Sequence, residues 1–141
     1  MRTLTLIMFL ILFSNASYSN EKNKTDVEFS SDNLVVDENR NIMTATGNVI
    51  INSKKMSVKA DKVIYDKKVD KATATGNVII EGDDGSIYKS QKVILTDEFK
   101  AISAIPLFGT FKDKSNIKAK SFVKKGDGSI YFKEGTYTAC D

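Results

Sequence analysis

Histidine and tryptophan are absent from this sequence of 141 residues, and cysteine and proline occur once each, as Cys140 and Pro106. Without histidine there is no Ser-His or Cys-His pair to activate a nucleophile, and no imidazole to ligate zinc. No Gly-x-Ser-x-Gly, Cys-x-x-Cys or glycine-rich phosphate loop occurs, so the usual equipment for acyl transfer, dithiol chemistry and nucleotide binding is missing. Calcium loops of the β-roll kind need repeated Gly-Gly-x-Gly-x-Asp, which is also absent. The expectation is a protein with no catalytic residues, no metal and no cofactor. Only carboxylate-pair chemistry stays open, at Asp83 with Asp84 or Asp97 with Glu98. Acidic residues beside glycines ordinarily serve instead as turn residues that bond their own backbone.

Arginine is scarce too. Arg2 and Arg40 are the only two, so almost all of the 21 basic residues are lysines, set against 18 acidic ones. Base edges and phosphates are read best by the planar guanidinium, and its scarcity argues against sequence-specific nucleic-acid binding. Lysine alternating with aspartate reads as the solvated face of strands; clustered turn lysines such as Lys54, Lys55, Lys67 and Lys68 fit the same description.

No apolar run is long enough to cross a bilayer as a helix. The stretch from Leu4 to Phe13 is about ten residues against the roughly 20 required. Preceded by Arg2 and followed by the small polar run Ser14 to Ser19, it reads as a signal peptide over residues 1–19, with a flexible polar leader over 20–26. Residues 27–141 then have the length of one domain. A solitary cysteine in an exported chain either stays free, pairs outside the chain or belongs to something longer.

What the sequence does contain is repetition. Thr44-Ala45-Thr46-Gly47-Asn48-Val49-Ile50-Ile51 returns letter for letter from Thr73 to Ile80, an offset of 29 residues. The same offset aligns Asp32-Asn33-Leu34-Val35-Val36-Asp37 with Asp61-Lys62-Val63-Ile64-Tyr65-Asp66, and Lys92-Val93-Ile94-Leu95 follows as a third copy after one insertion. Each unit is made of short β-branched runs bounded by Gly-Asn or Gly-Asp-Asp-Gly clusters, and Met56-Ser57-Val58-Lys59-Ala60-Asp61 alternates apolar with polar. No window places apolar residues at i, i+3, i+4 and i+7 over three turns. The expectation is an all-β fold of more than ten short strands stacked at a fixed period, with the two Gly-Asn pairs in equivalent places.

Val35, Ile50, Met56, Val58, Ile64, Ile79, Val93 and Leu95 recur in register and are expected to form one inward row. Such a row either buries itself as a plain core or lines a trough for an apolar ligand, and periodicity does not choose.

The succession of a signal peptide, Asp-x-Leu-x-x-Asp, Ala-Thr-Gly-Asn-Val, Ala-Asp-Lys-Val-Ile-Tyr-Asp and Ala-Thr-Gly-Asn-Val again resembles the OstA-like family over about Val27 to Thr96. This is the jellyroll module of the lipopolysaccharide transport proteins LptA, LptC and the amino-terminal part of LptD. Gly135-Thr136-Tyr137-Thr138-Ala139-Cys140 looks like the hand-over to the barrel in LptD, although no barrel strands follow. The resemblance implies a folded-over, open-edged β-jellyroll, non-enzymatic and periplasmic, with lipid A acyl chains of lipopolysaccharide against the eight aliphatic residues. It implies an LptA-like jellyroll pairing with the first strand, and, for an LptD-like chain, an outer-membrane barrel with its lipoprotein partner. It also implies that Cys140 forms a disulfide with a segment outside this chain. The alternative is a structural β-solenoid or surface scaffold that binds no lipid.

Overall fold

The computed structural model describes residues 27–139; the expected signal peptide, the leader and Cys140 lie outside the described residues. The described residues hold ten strands and no helix: β1 (Glu28–Ser30), β2 (Asn33–Asp37), β3 (Ile42–Asn52), β4 (Met56–Asp66), β5 (Lys71–Gly82), β6 (Ile87–Thr96), β7 (Ala101–Ile105), β8 (Leu107–Thr110), β9 (Asn116–Lys124) and β10 (Ile130–Thr138). All pairings are antiparallel, in the order β1-β3-β4-β5-β6-β7-β9-β10, with β2 also on β3 and β8 between β6 and β9. β1 and β2 occupy the two ends of β3, and β7 and β8 the two ends of β6. Each couple therefore acts as one interrupted strand, and the sheet is a ladder of eight rungs.

Each rung of the repeat bends at its middle. In β3, Gly47 and Asn48 have φ of 78° and 45°, and the register against β4 slips between Thr46 and Val49. In β5, Gly76 and Asn77 repeat this at 79° and 46°, with a slip between Thr75 and Val78. Two left-handed residues oppose one on the neighbouring strand, which is a bulge that bends a strand without ending it. Asn48 Nδ2 donates to Asp32 Oδ2 at 2.9 Å, and Asn77 Nδ2 donates to Asp61 Oδ2 at 2.8 Å. A Cβ on either glycine would fall 2.5 Å from the same aspartate oxygen, so close approach as well as φ demands glycine there. The repeated octapeptide is thus a repeated bend clamped to the preceding rung.

The aligned bends form a spine that divides the sheet into two walls. A front wall holds β2, β7 and residues 42–46, 62–66, 71–75 and 92–96; a back wall holds β1, β8 and residues 49–52, 56–60, 78–82 and 87–90. Front-wall Ala45, Val63, Ala74 and Val93 and back-wall Val49, Val58, Val78 and Ile80 belong to a single buried apolar core, so the walls fold face to face. This is the expected all-β, folded-over jellyroll. Two details differ from the sequence reading. There are ten strands rather than more than ten, and the Gly-Asn pairs lie inside long strands instead of bounding short ones. Their expected equivalence is what the coordinates show.

Candidate functional site: the interior between the walls

Strand pairing assigns every side chain to a face. Met56, Val58, Val93 and Leu95 face the interior, with Val58, Val93 and Leu95 no more than 1% exposed and Met56 half-buried against the core. The other four residues of the expected row face outward. Val35 and Ile64 lie in the cross-strand row Val35, Thr44, Ile64, Thr73 and Ile94, and Val35 is 65% exposed. Ile50 and Ile79 lie in the outer row Ile50, Lys59, Ile79 and Lys89.

The correction has two physical causes. In β4 the bend removes one step of alternation: Met56, Val58 and Ala60 point inward, then Val63 and Tyr65, so Ile64 is turned out. The runs Val49-Ile50-Ile51 and Val78-Ile79-Ile80 are apolar on both faces, and alternation cannot tell which face is buried; Val49, Ile51, Val78 and Ile80 are. In β2, Leu34 pairs with Ala45 and Val36 with Met43, which places these two, not Val35, in the inner rows. Sequence reasoning missed all of these positions. The signal available was Asp61 falling opposite Gly47-Asn48, where one residue meets a two-residue bulge.

At the amino-terminal end the walls stand apart. A cavity of about 300 Å³ opens between Val27 and Phe29 on the back wall and Met43, Tyr65 and Ala72 on the front wall. Its lip is built: Tyr65 Oη donates to Asp70 Oδ1 at 3.0 Å, the Glu98 amide donates to Asp70 Oδ2 at 2.6 Å, and Phe99 stacks on Tyr65 with centroids 6.2 Å apart. Burial, with the Asp70 carboxylate second, pushes the Tyr65 hydroxyl above its ordinary pKa, so it remains a neutral donor. At the carboxy-terminal end the walls are joined. Back-wall Tyr88 stacks on front-wall Phe122 at 6.5 Å and meets Phe111 edge-on at 6.0 Å, while Phe122 packs on Phe132 at 5.3 Å. The interior is open at one end and plugged with aromatic rings at the other.

The paired carboxylates Asp83-Asp84 and Asp97-Glu98 are turn residues. Asp84 and Asp127 are held below the ordinary carboxylate range first by the amides of Ser86 and Ser129, and Asp113 first by the Ser115 hydroxyl. A general acid needs the opposite shift. Asp97 and Glu98 sit in the turn between β6 and β7, where Glu98 pairs with Lys100 at 3.0 Å. Among the described residues no group of three His, Cys, Asp or Glu could hold a metal ion. Lys54 and Lys55 lie at the back-wall rim, between β3 and β4, and Lys67 and Lys68 at the front-wall rim, between β4 and β5.

Residues 28–68, which carry β1 to β4 and the first Asp-Asn clamp, match the family described as LptA/(LptD N-terminal domain) LPS transport protein. No curated protein matches the sequence. The crystal structure of LptH, the LptA-homologous periplasmic component of the lipopolysaccharide transport device of Pseudomonas aeruginosa, has the same fold with a TM-score of 0.64. The likeness covers 75% of this chain and 80% of that one at 10% identity. The family match thus covers the first four strands, and the described residues as a whole share the β-jellyroll fold of LptH.

Proposed function

We propose that this chain is a non-enzymatic, periplasmic module of lipopolysaccharide transport, and that lipid A acyl chains occupy the interior between the two walls. The observation that carries the reading is where the hydrogen bonds run. Strand pairing lies within each wall and the walls are continuous only through the spine; across the interior there are side chains alone. Parting the walls at the rim therefore breaks no ladder hydrogen bond. It exchanges apolar contacts for acyl contacts, and each methylene that enters contributes about 0.8 kcal/mol. Alanines at 45, 72, 74 and 104 keep the front wall shallow, which leaves width for a chain.

The exposed edge supports a partner of the same architecture. Leu34 and Val36 belong to the inner rows yet remain about half exposed because no rung of the described residues covers them, and an LptA-like jellyroll adding a strand at β1 and β2 would continue the interior. On this reading an outer-membrane barrel, with its lipoprotein partner, joins at the β10 end, and Cys140 forms its disulfide there.

The scaffold alternative draws on the tight closure of the present core, and a binding measurement separates the two. Fluorescent lipopolysaccharide bound to the purified protein should be displaced by lipid A and not by core oligosaccharide freed of lipid A. Displacement by the sugar, or no binding at all, would favour the scaffold.

A further inference from the structure

The outer surface around Pro106 carries no role in the reading above. β7 and β8 flank this proline, and Ala104 and Leu107, at 0% and 1% exposure, anchor them to the core. Ile105 and Phe108 are consequently held outward, each 49% exposed. Their cross-strand partners are all lysines: Lys92 beside Ile105, and Lys89 and Lys118 on either side of Phe108. Ile79, next to Lys89, extends the same outer row, which has no acidic residue between Ile79 and Lys118. Two other outer-face lysines are paired, Lys59 with Glu81 at 3.0 Å and Lys120 with Glu134 at 3.2 Å. Lys89, Lys92 and Lys118 make no ion pair among the described residues.

We infer that this patch docks the protein on an anionic bilayer surface. Ile105 with Lys92 and Phe108 with Lys89 and Lys118 flank the bend at Pro106, so the patch wraps the spine and asks for two things at once, negative charge around the bend for three lysine heads and an apolar layer beneath it for Ile105 and Phe108. Phospholipid headgroups over hydrocarbon supply both at the depth a lysine stem can span. An acidic protein surface would meet the charges and leave Phe108 against polar groups. Three lysines and two apolar side chains give weak, reversible and salt-sensitive binding.

The test is co-sedimentation of the chain from residue 20 onward, without the apolar stretch from Leu4 to Phe13, with phosphatidylcholine vesicles that contain or lack phosphatidylglycerol. The protein should pellet with the anionic vesicles, and added salt should release it. Lys89→Ser, Lys92→Ser and Lys118→Ser together should weaken binding about tenfold or more, and Phe108→Ser several-fold. Lys67→Ser, Lys68→Ser and Lys100→Ser, which remove equal charge from a rim, should change it less than about twofold. All these positions are on the surface, and an unchanged melting temperature verifies folding. Failure to bind anionic vesicles, equal binding to neutral ones, or an equal loss in the rim variant would overturn the inference. Because the substituted side chains face away from the interior, none of these results bears on whether lipid A displaces lipopolysaccharide.

Discussion

The amino-terminal and carboxy-terminal rungs bend along one spine by different means. In β3 and β5 a Gly-Asn bulge is clamped to an aspartate of the preceding rung, and the interior they enclose is aliphatic, alanine-rich and open at the mouth. Between β7 and β8 there is no such clamp; the interruption falls at Pro106, and aromatic rings join the walls. The position of the bend is thus kept along the spine, while the side chains around it differ: aliphatic residues pack between the walls at the clamped bends, and an aromatic stack joins the walls at the other end.

The largest expected effect tests the clamp. Gly76→Ala combines a left-handed φ with a Cβ 2.9 Å from the Asp61 Cβ, and should cost about 2–4 kcal/mol in urea unfolding. Gly128→Ala, in the turn between β9 and β10, shares the left-handed φ but meets nothing within 4 Å, and should cost only about 1–2 kcal/mol. Equal losses would mean that φ alone, and not the approach of Asp61, fixes glycine at the bend.

Next comes the contrast between plug and mouth. Tyr88→Ala should cost about 2–3 kcal/mol, since it removes a ring packed on both walls, and Phe29→Ala about 1 kcal/mol, since its neighbours already line a cavity. Smaller again are the polar contacts. Asp61→Ala should lose about 0.5–1.5 kcal/mol, and Lys120→Ala, in an exposed pair, nothing measurable.

The smallest effect is acid dependence. Asp84, Asp113 and Asp127 have folded pKa values below the unfolded value near 3.8, so their contribution is present above that value and lost as pH falls through the folded pKa. Two of the three lie in the carboxy-terminal rungs. Hydrogen exchange below about pH 4 should therefore show β8 to β10 loosening before β3 to β5, and Asp113→Asn with Asp127→Asn should abolish the difference.

Much of this architecture was legible in the sequence. The octapeptide repeat and the alternation in β4 led to an all-β stack with equivalent Gly-Asn sites, and the quoted motifs led to the jellyroll. The facing of individual residues was less accessible. Val93 and Leu95 face the interior as alternation predicts, with no bend between them, whereas Ile64 lies across a bend in β4 at which alternation reverses. Ile50 and Ile79 sit in runs apolar on both faces, where period-two reasoning has no polar residue to read. The aromatic plug was invisible because Tyr88, Phe111 and Phe122 are distant in sequence and meet only through the folding-over of the walls.

The central claim is that acyl chains enter the interior and touch only the faces that pairing turns inward. Adjacent residues of β4 test it most directly. A photo-crosslinking amino acid at Val63 should capture lipopolysaccharide in cells that are exporting it, as should one at Val58, while the same probe at Ile64 or Lys59 should not. Capture from Ile64 and Lys59 as strong as from Val63 and Val58, or capture from none of the four, would contradict the account.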